Sequence, residues 1–121
     1  VTTLKVGGST IQNCTYGIMT LINCNDVTFT KSTFKDNVEF DLVNLSQCRS
    51  VAFDSCKFTN NRADLEWDYS LFDVSDSSDV QLKNSTLTEN MAPYFEATQG
   101  SVEIINTTQT ANTFPKGEFK N

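Results

Sequence analysis

Apolar and polar residues alternate in short runs that recur along the whole chain. The clearest run places Val27 and Phe29 two positions apart, a small residue at Ser32, then Phe34 and finally Asn37. Alternation with a period of two puts both apolar side chains on one face of a β-strand. The run therefore predicts two short strands joined by a bend. Its asparagine falls at the next bend, where it can bond local backbone and tolerate left-handed geometry.

The same five-position pattern occurs five times, with Cys14 in place of asparagine in the first copy and Gln109 in place of a large apolar residue in the last. Its leading apolar residues are Leu4, Val27, Val51, Val80 and Val102. The steps between them are 23, 24, 29 and 22 residues, and the rest of each step supplies a third apolar pair, such as Val43 and Leu45. A chain that turns three corners in about two dozen residues completes one coil of a solenoid, in which neighbouring strands stack ~4.8 Å apart.

Stacked coils place equivalent residues above one another. Four asparagines are therefore predicted to form a ladder in which each side-chain amide bonds the next, namely Asn37, Asn61, Asn90 and Asn112. We predict an all-β solenoid of about five coils with three short strands per coil. Residues 1–121 form a single domain or part of a longer one, with 113–121 as an irregular tail.

The unit V-x-F-x-x-S-x-F-x-x-N resembles the coil of the right-handed parallel β-helix, the pectin-lyase-like superfamily. In style it is closest to the repetitive β-helix regions of large bacterial and protist surface proteins, and the resemblance covers residues 4 to about 114. It implies the fold but no one function, since the superfamily contains lyases, hydrolases, adhesins and tailspikes. A leucine-rich repeat shares the period and is the alternative fold, although it continues with an apolar residue where this chain has asparagine.

Composition excludes several function classes. Nine basic residues against 15 acidic ones give a net charge of −6, which argues against a nucleic-acid ligand. The absence of histidine removes Ser-His-Asp and Cys-His nucleophile systems and His-containing zinc sites. No apolar run approaches the ~18 residues of a membrane span. The N-terminus has no signal-peptide pattern, so the targeting segment of a secreted protein would be removed or lie outside this chain.

Cysteines and glycosylation sequons favour a secreted, extracellular or cell-surface location. Cys24 and Cys48 each lie three residues before a leading valine, so they are predicted to stack on adjacent coils and form a disulfide. Cys56 belongs to an internal column of small residues and is predicted to be a buried packing thiol, and the pairing of Cys14 is open. The four sequons begin at Asn13, Asn44, Asn84 and Asn106. We expect a glycan on at least one of the last three.

Carboxylates are the only plausible catalytic groups. Asp64, Glu66 and Asp68 lie in the longest segment between strands, around Trp67 and Tyr69. This segment is a candidate sugar-binding lip, with the indole as a stacking platform. The simpler interpretation is a solvated loop whose aromatic side chains fold onto the solenoid.

A second acidic group has the oxygen-rich character of a calcium loop. It comprises Asp73, Asp76 and Asp79. Their spacing is not that of an EF-hand, and no glycine or terminal glutamate follows. We therefore expect no cofactor, with calcium at these three residues as the alternative.

The function that follows is a non-enzymatic, extracellular structural or adhesive β-helix module, for example a glycosylated subunit or segment of a surface filament or rod. Its predicted partners are other copies of itself or adjacent β-helix coils, joined by end-to-end stacking. The alternative is a carbohydrate-active β-helix domain, either a polysaccharide lyase or glycoside hydrolase or a carbohydrate-binding module. In that case the segment from Asp64 to Tyr69 would supply the site.

Overall fold

The protein folds as a right-handed parallel β-helix, which confirms the fold predicted from the repeat. The structure is a computed structural model that describes residues 3–117. These residues form four complete coils of three strands and two strands of a fifth coil. A leucine-rich repeat has one strand and a helical segment per repeat, so three strands per coil exclude that alternative. Within the described part of the chain, no helix is long and apolar enough to cross a membrane.

The strands are short and are numbered in chain order. The first two coils contain β1 (Thr3–Gly7), β2 (Thr10–Gln12), β3 (Met19–Ile22), β4 (Asp26–Thr30), β5 (Thr33–Lys35) and β6 (Val43–Ser46). The later coils contain β7 (Arg49–Asp54), β8 (Lys57–Thr59), β9 (Ser70–Ser75), β10 (Ser78–Lys83), β11 (Thr86–Thr88), β12 (Tyr94–Glu96), β13 (Glu103–Ile105) and β14 (Thr108–Thr110).

Every third strand pairs in parallel, which makes three sheets along the coil axis. The first sheet has the order β1-β4-β7-β10-β13, the second β2-β5-β8-β11-β14, and the third β3-β6-β9-β12. The register pairs Leu4 with Val27, Val27 with Val51, and Val51 with Val80. The leading apolar residues of the repeat therefore stack over one another. Corner 1 joins the first sheet to the second, corner 2 the second to the third, and corner 3 the third to the next coil.

The interior contains stacked columns of phenylalanine rings. Phe29 lies over Phe53 with ring centroids 5.0 Å apart, and Phe34 lies over Phe58 at 4.7 Å. The two stacks meet edge to face, with 6.0 Å between the centroids of Phe34 and Phe53. Aromatic pairs in these geometries contribute about 0.5–1.5 kcal/mol each beyond the area they bury. The core is therefore repeated along the axis instead of being gathered at one centre.

Most corners begin with a residue whose backbone is left-handed. At corner 1 these residues are Gly8, Lys31, Ser55, Asn84 and Asn106. At corner 2 they are Asn13, Asp36, Asn60, Glu89 and Ala111, and at corner 3 Asn23, Gln47 and Asp76. Glycine and asparagine tolerate this geometry best. The stack also imposes it on residues such as Lys31 and Glu89, with φ of 50° and 57°.

At corner 2 of the second to fifth coils, the residue after the left-handed residue belongs to an asparagine ladder, whereas the first coil has Cys14 there. The Nδ2 group of Asn37 donates to Oδ1 of Asn61, and the same 2.9 Å bond joins Asn61 to Asn90 and Asn90 to Asn112. Each backbone N–H also donates to that oxygen. The ladder asparagines do not themselves have left-handed backbones, contrary to the geometry we expected for them. The preceding residue turns the chain, which leaves the asparagine side chain free to extend along the axis.

Corner 1 has a similar arrangement built from small residues. The hydroxyl of Ser85 accepts the backbone N–H of Cys56 at 3.1 Å, and that of Thr107 accepts the N–H of Ser85 at 3.4 Å. Cys56 is a buried free thiol, and burial raises the pKa of its thiol. Its position is that of a packing residue in this column.

Cys24 and Cys48 occupy equivalent places at corner 3, but the disulfide predicted between them is not formed. Both are buried free thiols. The Cys48 sulfur donates to the carbonyl oxygens of Leu21 and Ser46, both at 3.4 Å. On the next coil the Ser77 hydroxyl fills the same place and also donates to a carbonyl oxygen. The two cysteines therefore serve as small corner residues whose thiols are directed at backbone.

The predicted irregular tail starts with two isolated β-bridges. Thr113 pairs with Met91, and Gly117 pairs with Tyr94. Phe114 is buried 5.8 Å from Phe95, measured between ring centroids. Residues 118–121 of the predicted tail lie outside the described residues.

Replacing Asn61 with alanine tests the contribution of the ladder. Asn61 is fully buried, its Oδ1 accepts the side-chain amide of Asn37, and its Nδ2 donates to the carbonyl of Phe34. Because Asn61→Ala leaves buried polar groups without partners, we expect the free energy of unfolding to fall by about 2–4 kcal/mol. Urea denaturation measures this change. The control is Asn25→Ala at an exposed site, and equal losses in the two variants would show that the ladder adds nothing.

Candidate functional site

The segments at corner 2 of the first three coils are the longest connections near one another on the surface. They comprise residues 13–18, 36–42 and 60–69. The backbone N–H of Gly17 donates to the carbonyl of Val38 at 2.9 Å, and that of Glu39 donates to the carbonyl of Arg62 at 2.8 Å. The three segments therefore lie side by side along the axis. Together they form the surface that is called the aromatic corner below.

Most of the exposed large apolar side chains belong to this surface. Among the described residues they are Tyr16, Val38, Phe40, Leu65 and Trp67, whereas Ile22 and Ile105 lie elsewhere. Tyr16 stacks on Phe40 with 5.5 Å between centroids and 11° between ring planes, and Phe40 meets Tyr69 edge to face at 5.5 Å. The rings form a strip across three coils. Trp67 and Tyr69, the predicted ligand-binding residues, both belong to this corner, with Trp67 61% exposed.

Two consecutive residues of the middle segment have left-handed backbones. The φ angle is 71° at Glu39 and 59° at Phe40, which is unfavourable for a bulky residue. In the neighbouring segment, Gly17 has a φ of 83°, and a Cβ atom there would lie 2.6 Å from the carbonyl oxygen of Asp41. Only glycine fits at that position. This backbone keeps the Phe40 ring 41% exposed at the surface.

The aromatic corner also carries most of the protein's net negative charge. Residues 36–41 and 62–69 contain six carboxylates and one arginine, a sum of −5 in a chain whose net charge is −6. Glu39, Asp64 and Glu66 are exposed. Like-charged groups this close together create a negative potential that attracts cations to the corner.

Asp41 is the carboxyl group of the corner with the most altered acidity. Burial, together with a hydrogen bond with Asp73 on the next coil, raises its pKa from 3.8 to about 6. The backbone N–H of Ser70 donates to Asp41 Oδ1 at 2.9 Å, which lowers the pKa and partly offsets the rise. Two adjacent carboxyl groups resist double ionisation. The pair therefore retains a proton in mildly acidic solution.

The three carboxylates predicted as the alternative catalytic set lie on one loop, and two of them are engaged by other groups. Asp64 Oδ1 accepts the backbone N–H of Glu66 at 2.9 Å, so this carboxylate shapes the turn. Asp68 forms an exposed ion pair with Lys116 at 2.8 Å, and its carboxylate raises the pKa of the lysine. Asp64 and Asp68 therefore have separate partners, which does not suit a shared reaction centre.

The residues of the calcium alternative are also dispersed. Asp73 lies on β9 and bonds to Asp41, Asp76 turns corner 3, and Asp79 is an exposed residue of β10. Within residues 3–117, no group of three acidic, cysteine or histidine side chains is arranged to hold a metal ion. The positions of these aspartates give no support to a calcium site.

The four sequon asparagines all lie at the surface. At corner 1, Asn106 Nδ2 donates to Asn84 Oδ1 at 2.8 Å, and Asn84 Nδ2 donates to Asp54 Oδ1 at 3.1 Å. The bond from Asn84 holds the pKa of Asp54 below its usual value. Asn13 is exposed at corner 2, and Asn44 is half-buried on β6 of the third sheet.

Tyr16, Phe40 and Asp41 were missed as site residues in the sequence. They lie outside the five-position pattern, in segments whose length differs from coil to coil. A signal was present, because Tyr16 precedes Phe40 by 24 residues and Phe40 precedes Tyr69 by 29. These steps match two successive coil steps, so the three aromatic residues share a position in the repeat.

A shallow cavity of about 550 Å³ opens beside the fourth coil and is lined in part by Glu96, Gly100, Val102 and Lys116. The Glu96 carboxylate accepts the backbone N–H groups of Gly100 at 2.8 Å and Val102 at 3.0 Å. Lys116 is paired with Asp68. Both charged side chains that line the cavity are thus bonded to other groups of the protein. The aromatic corner is therefore the stronger candidate for a binding site.

Comparison with known proteins supports the fold and leaves the site open. A family model described as "Right handed beta helix region" matches residues 2–114. Searches of curated proteins and of solved structures found no match. The family match extends over nearly the whole chain, but it assigns no role to any residue of the aromatic corner.

The substitution Asp41→Asn tests whether Asp41 and Asp73 share a proton, because it changes how the free energy of unfolding depends on pH. A carboxyl group with a raised pKa in the folded state stabilises the fold most below its unfolded pKa, and this contribution is lost as pH rises through about 6. The amide cannot ionise but can still accept from Ser70 and donate to Asp73. We therefore expect no change in stability at about pH 3 and a gain of about 1 kcal/mol at about pH 7.5, after allowance for solvent screening.

Thermal unfolding at the two pH values measures the difference between the variant and the parent protein. Asp26→Asn, at an exposed position on β4, controls for the general loss of one negative charge. A gain for Asp41→Asn that is equal at both pH values would contradict the shared proton.

Proposed function

Because the chain belongs to the right-handed β-helix family, we propose that it serves as a non-enzymatic structural or adhesive module of an extracellular surface. In this role the solenoid is a rigid support, and the aromatic corner is its adhesive surface. Such a module would suit a glycosylated surface filament or rod, as a subunit or as a segment.

The observation that supports this proposal is that nearly all of the buried polar side chains form hydrogen bonds between coils. In the described chain, seven polar residues are buried, namely Ser32, Asn37, Asn61, Ser70, Ser85, Asn90 and Thr107. All except Ser70 belong to the corner ladders, and the Oγ atom of Ser70 has no hydrogen-bond partner in the described residues. Buried polar groups that bond coil to coil stiffen the stack. They leave little buried chemistry for catalysis.

The stacking partners proposed for the module are other copies of the chain or adjacent β-helix coils. Leu4, Val6 and Ile11 continue the core columns into the first coil, where they are only partly buried. A further coil placed over them would bury these side chains and pair the open edge of β1.

We expect the purified protein to show no turnover of polyuronates or neutral polysaccharides, with or without calcium. The physical reason is that Asp64 and Asp68 are held by separate partners, a backbone N–H and Lys116. Reducing-end and unsaturated-product assays measure turnover. Turnover that disappears in Asp68→Ala would overturn the structural proposal.

One observation favours a carbohydrate-active domain as the second candidate. The proton-sharing pair of Asp41 and Asp73 lies beside exposed aromatic rings, and a general acid with a raised pKa near a sugar-stacking platform is what glycoside cleavage requires. The same assays separate the candidates. Turnover that disappears in Asp41→Asn but persists in Asp26→Asn would establish the enzyme and place its acid at Asp41.

We expect a glycan on at least one of Asn44, Asn84 and Asn106 when the chain passes through a eukaryotic secretory pathway. All three lie at the surface, and attachment leaves one amide hydrogen on each Nδ2 for the bonds seen at corner 1. Intact-mass analysis before and after enzymatic deglycosylation detects the modification. An unchanged mass in secreted material would contradict this expectation.

A further inference from the structure

We propose that the aromatic corner binds a basic peptide segment of a partner protein, with arginine side chains laid against its exposed rings. This inference rests on the proposed adhesive function and names the class of partner. It follows from two independent properties of the corner, its exposed aromatic surface and its charge.

The aromatic rings of the corner are held in fixed positions, and the rest of the described protein does not cover them. Tyr16 is 79% exposed and Trp67 is 61% exposed. The face of Tyr16 that does not stack on Phe40 is available to a ligand, and the strained backbone at Glu39 and Phe40 holds the strip in place. Exposed aromatic patches of this kind on a soluble protein commonly mark binding surfaces.

The charge of the corner selects the ligand. Exposed carboxylates lie on the same segments as the rings, at Glu39, Asp64 and Glu66, and Arg62 is the only basic residue within the two charged segments. A guanidinium group can stack on an aromatic face while it donates hydrogen bonds to a neighbouring carboxylate. An acidic partner would be repelled, and a neutral one would leave the carboxylates unused.

Peptide binding by the purified full chain tests the inference directly. Three labelled peptides of equal length, alternating glycine with arginine, lysine or glutamate, are titrated and followed by fluorescence anisotropy. We expect the arginine peptide to bind about threefold or more tightly than the lysine peptide, because only the guanidinium stacks on aromatic rings. The glutamate peptide should not bind. Raising the salt from about 0.05 to about 0.5 M should weaken binding at least tenfold.

Paired variants separate the aromatic and charge contributions. We expect Tyr16→Ala and Trp67→Ala each to weaken arginine-peptide binding about threefold to fivefold, whereas Ile22→Ala, which removes another exposed apolar side chain, should not. Glu66→Gln should weaken binding more than Glu103→Gln, which changes an exposed glutamate on β13. All five positions are exposed, so unchanged circular dichroism and thermal unfolding would show that each variant is folded.

Several outcomes would overturn the inference. They are the absence of arginine-peptide binding, equal binding of the arginine and lysine peptides with no loss in Trp67→Ala, and displacement of the peptide by neutral oligosaccharides. The last result would make the corner a glycan site. If the arginine peptide does not bind and no polysaccharide is turned over, only the proposed peptide partner is rejected. If a polysaccharide is turned over, the proposed structural function is rejected, whatever the result of the peptide titration.

Discussion

Axial hydrogen bonding between coils is the constraint on which the rest of this structure depends. In a parallel solenoid, each strand satisfies its backbone groups only through the strands above and below it. Equivalent residues must then occupy equivalent places, about 4.8 Å apart. Side chains that can bond both neighbours, such as Asn61 between Asn37 and Asn90, extend the same rule into the corners. The rule also explains why Lys31 and Glu89 accept left-handed backbones, since changing the corner would break bonds on two coils.

The same constraint decides what could be predicted from the sequence. Inward-facing residues such as Phe34 and Phe58 repeat at each coil, so the columns and the fold were predictable. The left-handed corner residues were not, because they range from glycine and asparagine to lysine and glutamate, and only the stack imposes their geometry. The spacing of Cys24 and Cys48 correctly indicated adjacent positions. It could not show that each thiol is directed at a carbonyl oxygen instead of at the other sulfur.

The candidate site lies where the constraint is weakest. Corner 2 accommodates connections of different length without altering the register of the strands on either side, as the pairing of Val43 with Phe72 across the longest connection shows. These segments lie outside the five-position pattern, which is why Phe40 and Asp41 were missed in the sequence while the conspicuous Trp67 was not, although Tyr16, Phe40 and Tyr69 do recur at coil steps. Charge and exposed aromatic rings accumulate there because neither has to fit a stacked column.

The protonation state of Asp41, next to the strained residues Glu39 and Phe40, is coupled to binding of the proposed basic peptide. Ionisation of Asp41 is disfavoured by burial and by Asp73, so the free corner withholds one of its negative charges in mildly acidic solution. A bound guanidinium group would favour the ionised carboxylate, and by reciprocity the ionised carboxylate would favour the bound cation. Binding of a basic segment would therefore release protons from the pair. Below about pH 6 this release opposes binding, because the pair must first lose its proton, whereas above about pH 6 a bound guanidinium would relieve the repulsion between two ionised carboxylates.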